Sequence, residues 1–208
     1  MRLTLKILLV RTTVRWPKAI GIGWCLNSAW HLNIATREEH YKTMSKNPKE
    51  CAPRTRGEQA RLEQAIRDLF EHKIVFNEFL GFTMGKYSPG RVSVNFDMRP
   101  ELIGHFMHGR LHGGVISAVL DAAGGLAVIW AIADLHANES ADQVMQRFKA
   151  LATIDIRVDY LRPGVGERFT AEANMVRLGR RIASTHSVLR SDNGKDVASA
   201  NGAYIVSN

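Results

Sequence analysis

The sequence predicts an α+β domain in which an antiparallel sheet wraps one buried helix, and three observations carry the prediction. The stretch Gly113 to Trp130, GGVISAVLDAAGGLAVIW, has almost no polar side chains, so a helix there is apolar on every side and must be buried. Four strand-like stretches follow it, most alternating apolar and polar residues, and their short connections require antiparallel neighbours. A further alternating pair precedes it, and one helix enclosed by such strands is an α+β arrangement.

Taken in order, residues 56–72 have helical periodicity. Leu62, Ile66, Leu69 and Phe70 fall at i, i+4, i+7 and i+8 among charged residues. A short apolar run from Ile74 to Leu80 is broken by Gly81. Residues 82–98 read as a hairpin about the turn Tyr87-Ser88-Pro89-Gly90, with Val92, Val94 and Phe96 alternating against Arg91, Ser93, Asn95 and Asp97. Arg99 to His112, rich in Gly and His, reads as a loop, and polar Asp134 to Lys149 reads as a loop or a loop with a helical turn. Ile154, Ile156, Val158 and Tyr160 then mark a strand closed by Arg162-Pro163-Gly164. Phe169, Ala171, Ala173 and Met175 mark a second, residues 181–190 a weaker third, and Ala198 to Val206 a fourth after the turn Asp192-Asn193-Gly194.

The chain has 208 residues and a formal net charge of +8, enough for one domain with a sizeable core or one domain plus an appendage. Two cysteines, Cys25 and Cys51, cannot build a disulfide framework or a cysteine-based zinc site. No apolar run approaches the roughly 18–20 residues of a membrane span. A basic balance suits nucleic acid, a membrane surface or a phosphorylated ligand. The charge is uneven, however: residues 1–43 carry a net +5 and the remaining 165 only +3. The expected organisation is therefore a basic leader over 1–43 and a folded domain over 44–208. The leader is too short in apolar length and too interrupted by Arg11 and Arg15 for a signal peptide. A transit peptide, or a true start at Met44, are the other readings.

Asp121 stands at the centre of the apolar stretch. Burying an unpaired carboxylate is costly, so such a residue is either paired or functional. Leu111-His112-Gly113-Gly114 leads into the same helix, and its glycines would let a carbonyl substrate approach exposed backbone N–H groups at the positive end of the dipole. Eight residues of helix from Gly113 to Asp121 span about 12 Å, too far for both to serve one small carbonyl. If both act, a second chain must bring its Asp121 to the first chain's glycines, which predicts a dimer.

The stretch HGRLHGGVISAVLDAAGG followed by IDIRVDYLRPG resembles the hotdog-fold acyl-CoA thioesterases of the phenylacetic-acid-degradation type, over about residues 78–206. The resemblance implies a hotdog fold, dimers and often dimers of dimers, and hydrolysis of a medium- or long-chain acyl-CoA, with coenzyme A as part of the substrate and no resident cofactor. It implies Asp121 as base or nucleophile, an oxyanion-binding amide at Gly113 or Gly114, His112 fixing the loop, and Thr153 as the water-positioning hydroxyl. The turn Leu178-Gly179-Arg180-Arg181 lies where similar enzymes contact coenzyme A, with Arg147, Lys149 and Arg157 as further cations. A cytoplasmic location is expected.

Two departures stand out. The family often has an Asn shortly before the HGG histidine, where this chain has His105 and Phe106, so His105 either substitutes or the function is lost. Strict alternation also puts Thr153 on the face opposite Ile154. His105, His108 and His112 with Asp121 raise a metal reading, but Gly104, Gly109 and Gly113 disfavour a rigid presentation, and no metal is expected. Phe76, Phe79, Phe82, Phe106 and Met107 suit an apolar tunnel or core filler. The basic helix from Arg54 to Arg67 lacks interleaved aromatics and reads as a solvated face rather than a nucleic-acid site. Two rivals to a thioesterase are a hotdog enoyl-thioester hydratase and a non-catalytic acyl-CoA sensor. The hydratase is disfavoured by the absence of a histidine five residues beyond the acid. The sensor is disfavoured by a single helix before the domain, too little for a helix-turn-helix.

Overall fold

The structure is a computed structural model that describes residues 53–206. The basic leader and the Met44 start lie outside the described residues. The chain opens with α1 (Arg56–Asp68), whose N-cap Thr55 accepts from Glu58 N–H and whose Leu62 and Ile66 are fully buried. A π turn over Leu69–Lys73 leads to α2 (Val75–Leu80), so the short apolar run is a helix, ended by Gly81 in the left-handed region.

The main sheet contains β1 (Thr83–Ser88), β2 (Arg91–Asp97), β5 (Ala152–Tyr160), β6 (Arg168–Leu178), β7 (Ile182–Ser191) and β8 (Asp196–Ile205). Their spatial order is β1-β2-β6-β7-β8-β5 and every pair is antiparallel. The central helix α3 (Gly113–Leu135) lies against the sheet, with Val119, Leu120 and Ala123 fully buried. The sheet face beneath it is built largely of small residues, Ala171, Ala173, Ala183, Ala198 and Ala200, all buried. Removing side-chain bulk there lets the helix sit close to the strands, as the apolar sequence of α3 requires.

Three sequence expectations change. The segment expected as a loop before α3 holds a two-stranded hairpin, β3 (Ile103–His105) with β4 (Arg110–Leu111), too short to show alternation. The segment expected after it as a loop, with at most a helical turn, holds the end of α3 and then the two-turn helix α4 (Ala141–Arg147). The sequence of α4 hid it because only Ala141 and Val144 are buried, although Ser140 and Gln143 form a capping box. Arg54 donates to the carbonyls of Ala133, His136 and Glu139 and so satisfies the C-terminus of α3. Finally, α3 itself is long and apolar enough to cross a membrane, contrary to the expectation that no run is, but most of it is buried beneath the sheet.

Burial of α3 is not complete. Gly114, Ser117, Ala118, Asp121, Ala122 and Gly125 fall at i, i+3, i+4, i+7, i+8 and i+11, and this stripe stays partly open. Beside it runs β5, which has a strand neighbour only on the β8 side.

Candidate active site

At the head of α3, His112 is the N-cap, with extended backbone (φ −65°, ψ 137°), and its Nδ1 accepts from Gly114 N–H at 2.9 Å. Its own N–H donates to Leu102 O at 2.8 Å. Gly104 lies flat on this residue: a Cβ there would meet His112 Cα at 2.5 Å, so only glycine allows the β3–β4 hairpin to seat the cap. Of the two amides expected to bind an oxyanion, Gly114 N–H is therefore engaged by His112. Gly113 N–H makes no hydrogen bond among the described residues, while Gly113 O accepts from Tyr160 OH at 3.0 Å. An open cleft of about 470 Å³ lies at this helix end, lined by Gly104, His105, Arg110, His112, Gly113 and Tyr160 and by the turn after β5.

Two turns further along, Asp121 sits on the open stripe and not in full burial as the sequence suggested, because among the described residues the sheet ends at β5 and leaves that side of α3 partly open. Thr153 Oγ1 donates to Asp121 Oδ1 at 2.9 Å. Strict alternation put Thr153 on the wrong face. A bulge between Thr153 and Asp155 pairs Thr153 with Tyr204 and Ile156 with Gly202, so Thr153 shares the helix-facing side despite its odd spacing from Ile156.

Tyr204 is a residue that sequence reasoning missed. Its ring is buried, 2% exposed, and its hydroxyl lies 3.1 Å from Asp121 O and 3.3 Å from Asp121 Oδ1. Burial raises the Tyr204 phenol above its ordinary range, and the Asp121 charge raises it further, so it stays a protonated donor. The signal that could have found it is a tyrosine at an inward position of a core strand, whose hydroxyl needs a partner.

The other candidates are dispersed. His105 stacks on Phe106 and on His108 (centroids 5.9 and 4.8 Å) at the exposed hairpin beside the cleft. Among the described residues no group of three or more His, Cys, Asp or Glu gathers as a metal would need. Leu178 ends β6, and Gly179, Arg180 and Arg181 form the β6–β7 turn, with both arginines exposed. Register places that turn at the sheet end that carries Thr153 and Tyr204. Arg147, expected as a phosphate contact, is instead held by Glu139, and Arg157 pairs with Asp159 at 3.1 Å. Lys149 is exposed. Phe82 is core, packed on Phe96 at 5.4 Å, whereas Phe76, Phe79, Phe106 and Met107 are 59–88% exposed.

The family described as Thioesterase superfamily matches residues 108–198, which hold the α3 head, Asp121 and Thr153. The medium/long-chain acyl-CoA thioesterase YigI of Escherichia coli K12 is 37% identical over 147 residues, covering 69% of this chain and 95% of that protein. A thioesterase-superfamily protein from Shewanella oneidensis has a similar structure, with a TM-score of 0.67 and 35% identity over 72% of this chain and 97% of that one. A thioesterase family protein from Silicibacter pomeroyi superposes at a TM-score of 0.55 with 28% identity, over 69% of this chain and 96% of that one. The antiparallel sheet around α3 is the hotdog arrangement of these neighbours, and the chain belongs to the thioesterase superfamily and is a thioester hydrolase.

Proposed function

We propose that the protein hydrolyses medium- to long-chain acyl-CoA thioesters as a cytoplasmic homodimer, free to pair into a dimer of dimers, each active site combining Gly113 of one chain with Asp121 of the other. The observation that carries this reading is Asp121 itself, a carboxylate held by two hydroxyls yet open on the one face of α3 that its own sheet leaves uncovered. About 12 Å of helix separates it from the Gly113 amide, so one chain does not bring both to a single carbonyl. The uncovered stripe lies beside β5, an open edge strand with Ile154 and Tyr160 54% and 55% exposed, a surface suited to a second copy.

In this mechanism the thioester oxygen accepts from Gly113 N–H, at a helix N-terminus that favours developing negative charge. The Asp121 carboxylate takes a proton from a water, whose oxygen adds to the carbonyl carbon. The tetrahedral species then expels the coenzyme A thiolate, which takes up the proton, leaving the free acid. Thr153 supports the water route: while donating to Asp121 Oδ1, its hydroxyl keeps lone pairs to accept from the attacking water. His112 holds Gly113 in place, and His105 lies at the mouth of the cleft. Arg180 and Arg181 suit the phosphates of coenzyme A. The chain-length assignment rests on the name of the YigI relative and on the exposed apolar side chains of Phe76, Phe79, Phe106 and Met107.

Asp121→Asn should lower turnover of every acyl-CoA about a hundredfold or more, leaving only a small residual rate, while the protein stays folded; near-normal hydrolysis would overturn the assignment. A screen over acyl-CoAs of graded length should show kcat/KM rising from acetyl to medium and long chains.

A further inference from the structure

We propose that Tyr204 is a positioning residue that fixes which oxygen of Asp121 reacts. The inference rests on the assignment of Asp121 as the acting carboxylate. Asp121 Oδ1 has two donors, Thr153 Oγ1 at 2.9 Å and Tyr204 OH at 3.3 Å. No hydrogen bond engages Oδ2 among the described residues, so Oδ2 is the oxygen left to accept a proton from water. The same Tyr204 hydroxyl lies 3.1 Å from the Asp121 carbonyl and so bridges side chain and backbone of one residue. That bridge holds the carboxylate in one rotamer on an open helix face, where solvent alone would leave it to rotate.

The fold invests in this contact. The ring is 2% exposed and fits between two glycines: a Cβ on Gly124 would lie 2.1 Å from the Tyr204 hydroxyl, and one on Gly202 would lie 2.7 Å from its ring. A phenylalanine would fill the same slot, so packing alone does not require the hydroxyl. Burial also keeps the phenol protonated, which makes it a permanent donor and excludes it as a base.

Tyr204→Phe keeps the ring and removes only the hydroxyl. Steady-state hydrolysis of a long-chain acyl-CoA should show kcat reduced about tenfold with KM unchanged, as expected when a group acts on the reacting carboxylate rather than on substrate binding. In an Asp121→Asn background the same substitution should change the residual rate by less than about twofold, because no carboxylate remains to be positioned. A purely structural tyrosine would instead impair both backgrounds alike. Wild-type kcat in Tyr204→Phe, alongside an inactive Asp121→Asn, would overturn the role of Tyr204 and leave the function intact. An active Asp121→Asn would sink the functional assignment itself. Should Tyr204→Phe fail to fold, 3-fluorotyrosine incorporated at position 204 keeps the packing and strengthens the donor; a changed kcat at constant KM supports the proposal and an unchanged kcat overturns it.

Discussion

The Tyr204 hydroxyl occupies the space that a side chain at position 124 would need: a Cβ built on Gly124 falls 2.1 Å from it and 2.9 Å from Thr185 Oγ1. Glycine in mid-helix is unfavourable by about 1 kcal/mol relative to alanine, so its presence here is a packing requirement. Gly124→Ala should therefore destabilise the fold by about 1–3 kcal/mol, against its helix propensity. Because the intruding methyl must displace Tyr204 from Asp121, it should also lower kcat. Thermal unfolding and steady-state kinetics on the same preparation check both.

At the other end of the active site, His112 performs two tasks with one contact. Its Nδ1 caps α3 through Gly114 N–H, and its backbone sits on Gly104. His112→Ala should cost about 1 kcal/mol of stability, the usual value of an N-cap. It should also raise KM and lower kcat together, since the neighbouring Gly113 amide loses its fixed direction. Urea unfolding and acyl-CoA kinetics test the two effects separately.

Thr153→Val is nearly isosteric and removes the second donor to Asp121 Oδ1. A hydrogen bond to a charged group is worth about 1.5–3 kcal/mol, so kcat should fall about tenfold to a hundredfold. The side of the sheet on which Thr153 lies was not legible in the sequence. Counting by twos from Ile156 sends it outward, and only the pairing of β5 with β8 reveals the extra residue. Tyr204 was hidden for a related reason, since its partner lies 83 residues away and no local pattern records that contact. The apolar length of α3, the alternation in β2 and β6 and the Gly-Gly head of α3 are local properties, and these were readable. Asp121 was readable as an anomaly, but its openness follows from where the sheet ends.

Glu172 on β6 lies between Arg91 at 2.6 Å and Arg190 at 2.5 Å. Burial alone would raise its carboxyl, but the two guanidiniums hold it below the ordinary range. A folded-state value below the unfolded one means stabilisation that is present above the unfolded value and lost as pH falls through the folded one. Glu172→Gln should thus cost about 1–2 kcal/mol near pH 7, and its deficit should shrink as pH drops below about 4, where the unfolded chain takes up the proton first. Denaturant midpoints measured across that range check the sign.

Gly113 is the first helical residue of α3, and His112 before it has the extended backbone that proline requires of its predecessor. Gly113→Pro therefore deletes one N–H with little disturbance to the helix. Loss of a preorganised oxyanion donor should lower kcat about a hundredfold to a thousandfold at near-unchanged stability. Combined with Asp121→Asn, the variant also tests whether two chains share one site. In a heterodimer of the two variants, the intact Gly113 of one chain faces the intact Asp121 of the other, while the second site carries both defects. Random association should then restore about a quarter of wild-type activity to a co-refolded equimolar mixture, although each variant alone is inactive. Sites confined within single chains would give no recovery in the mixture.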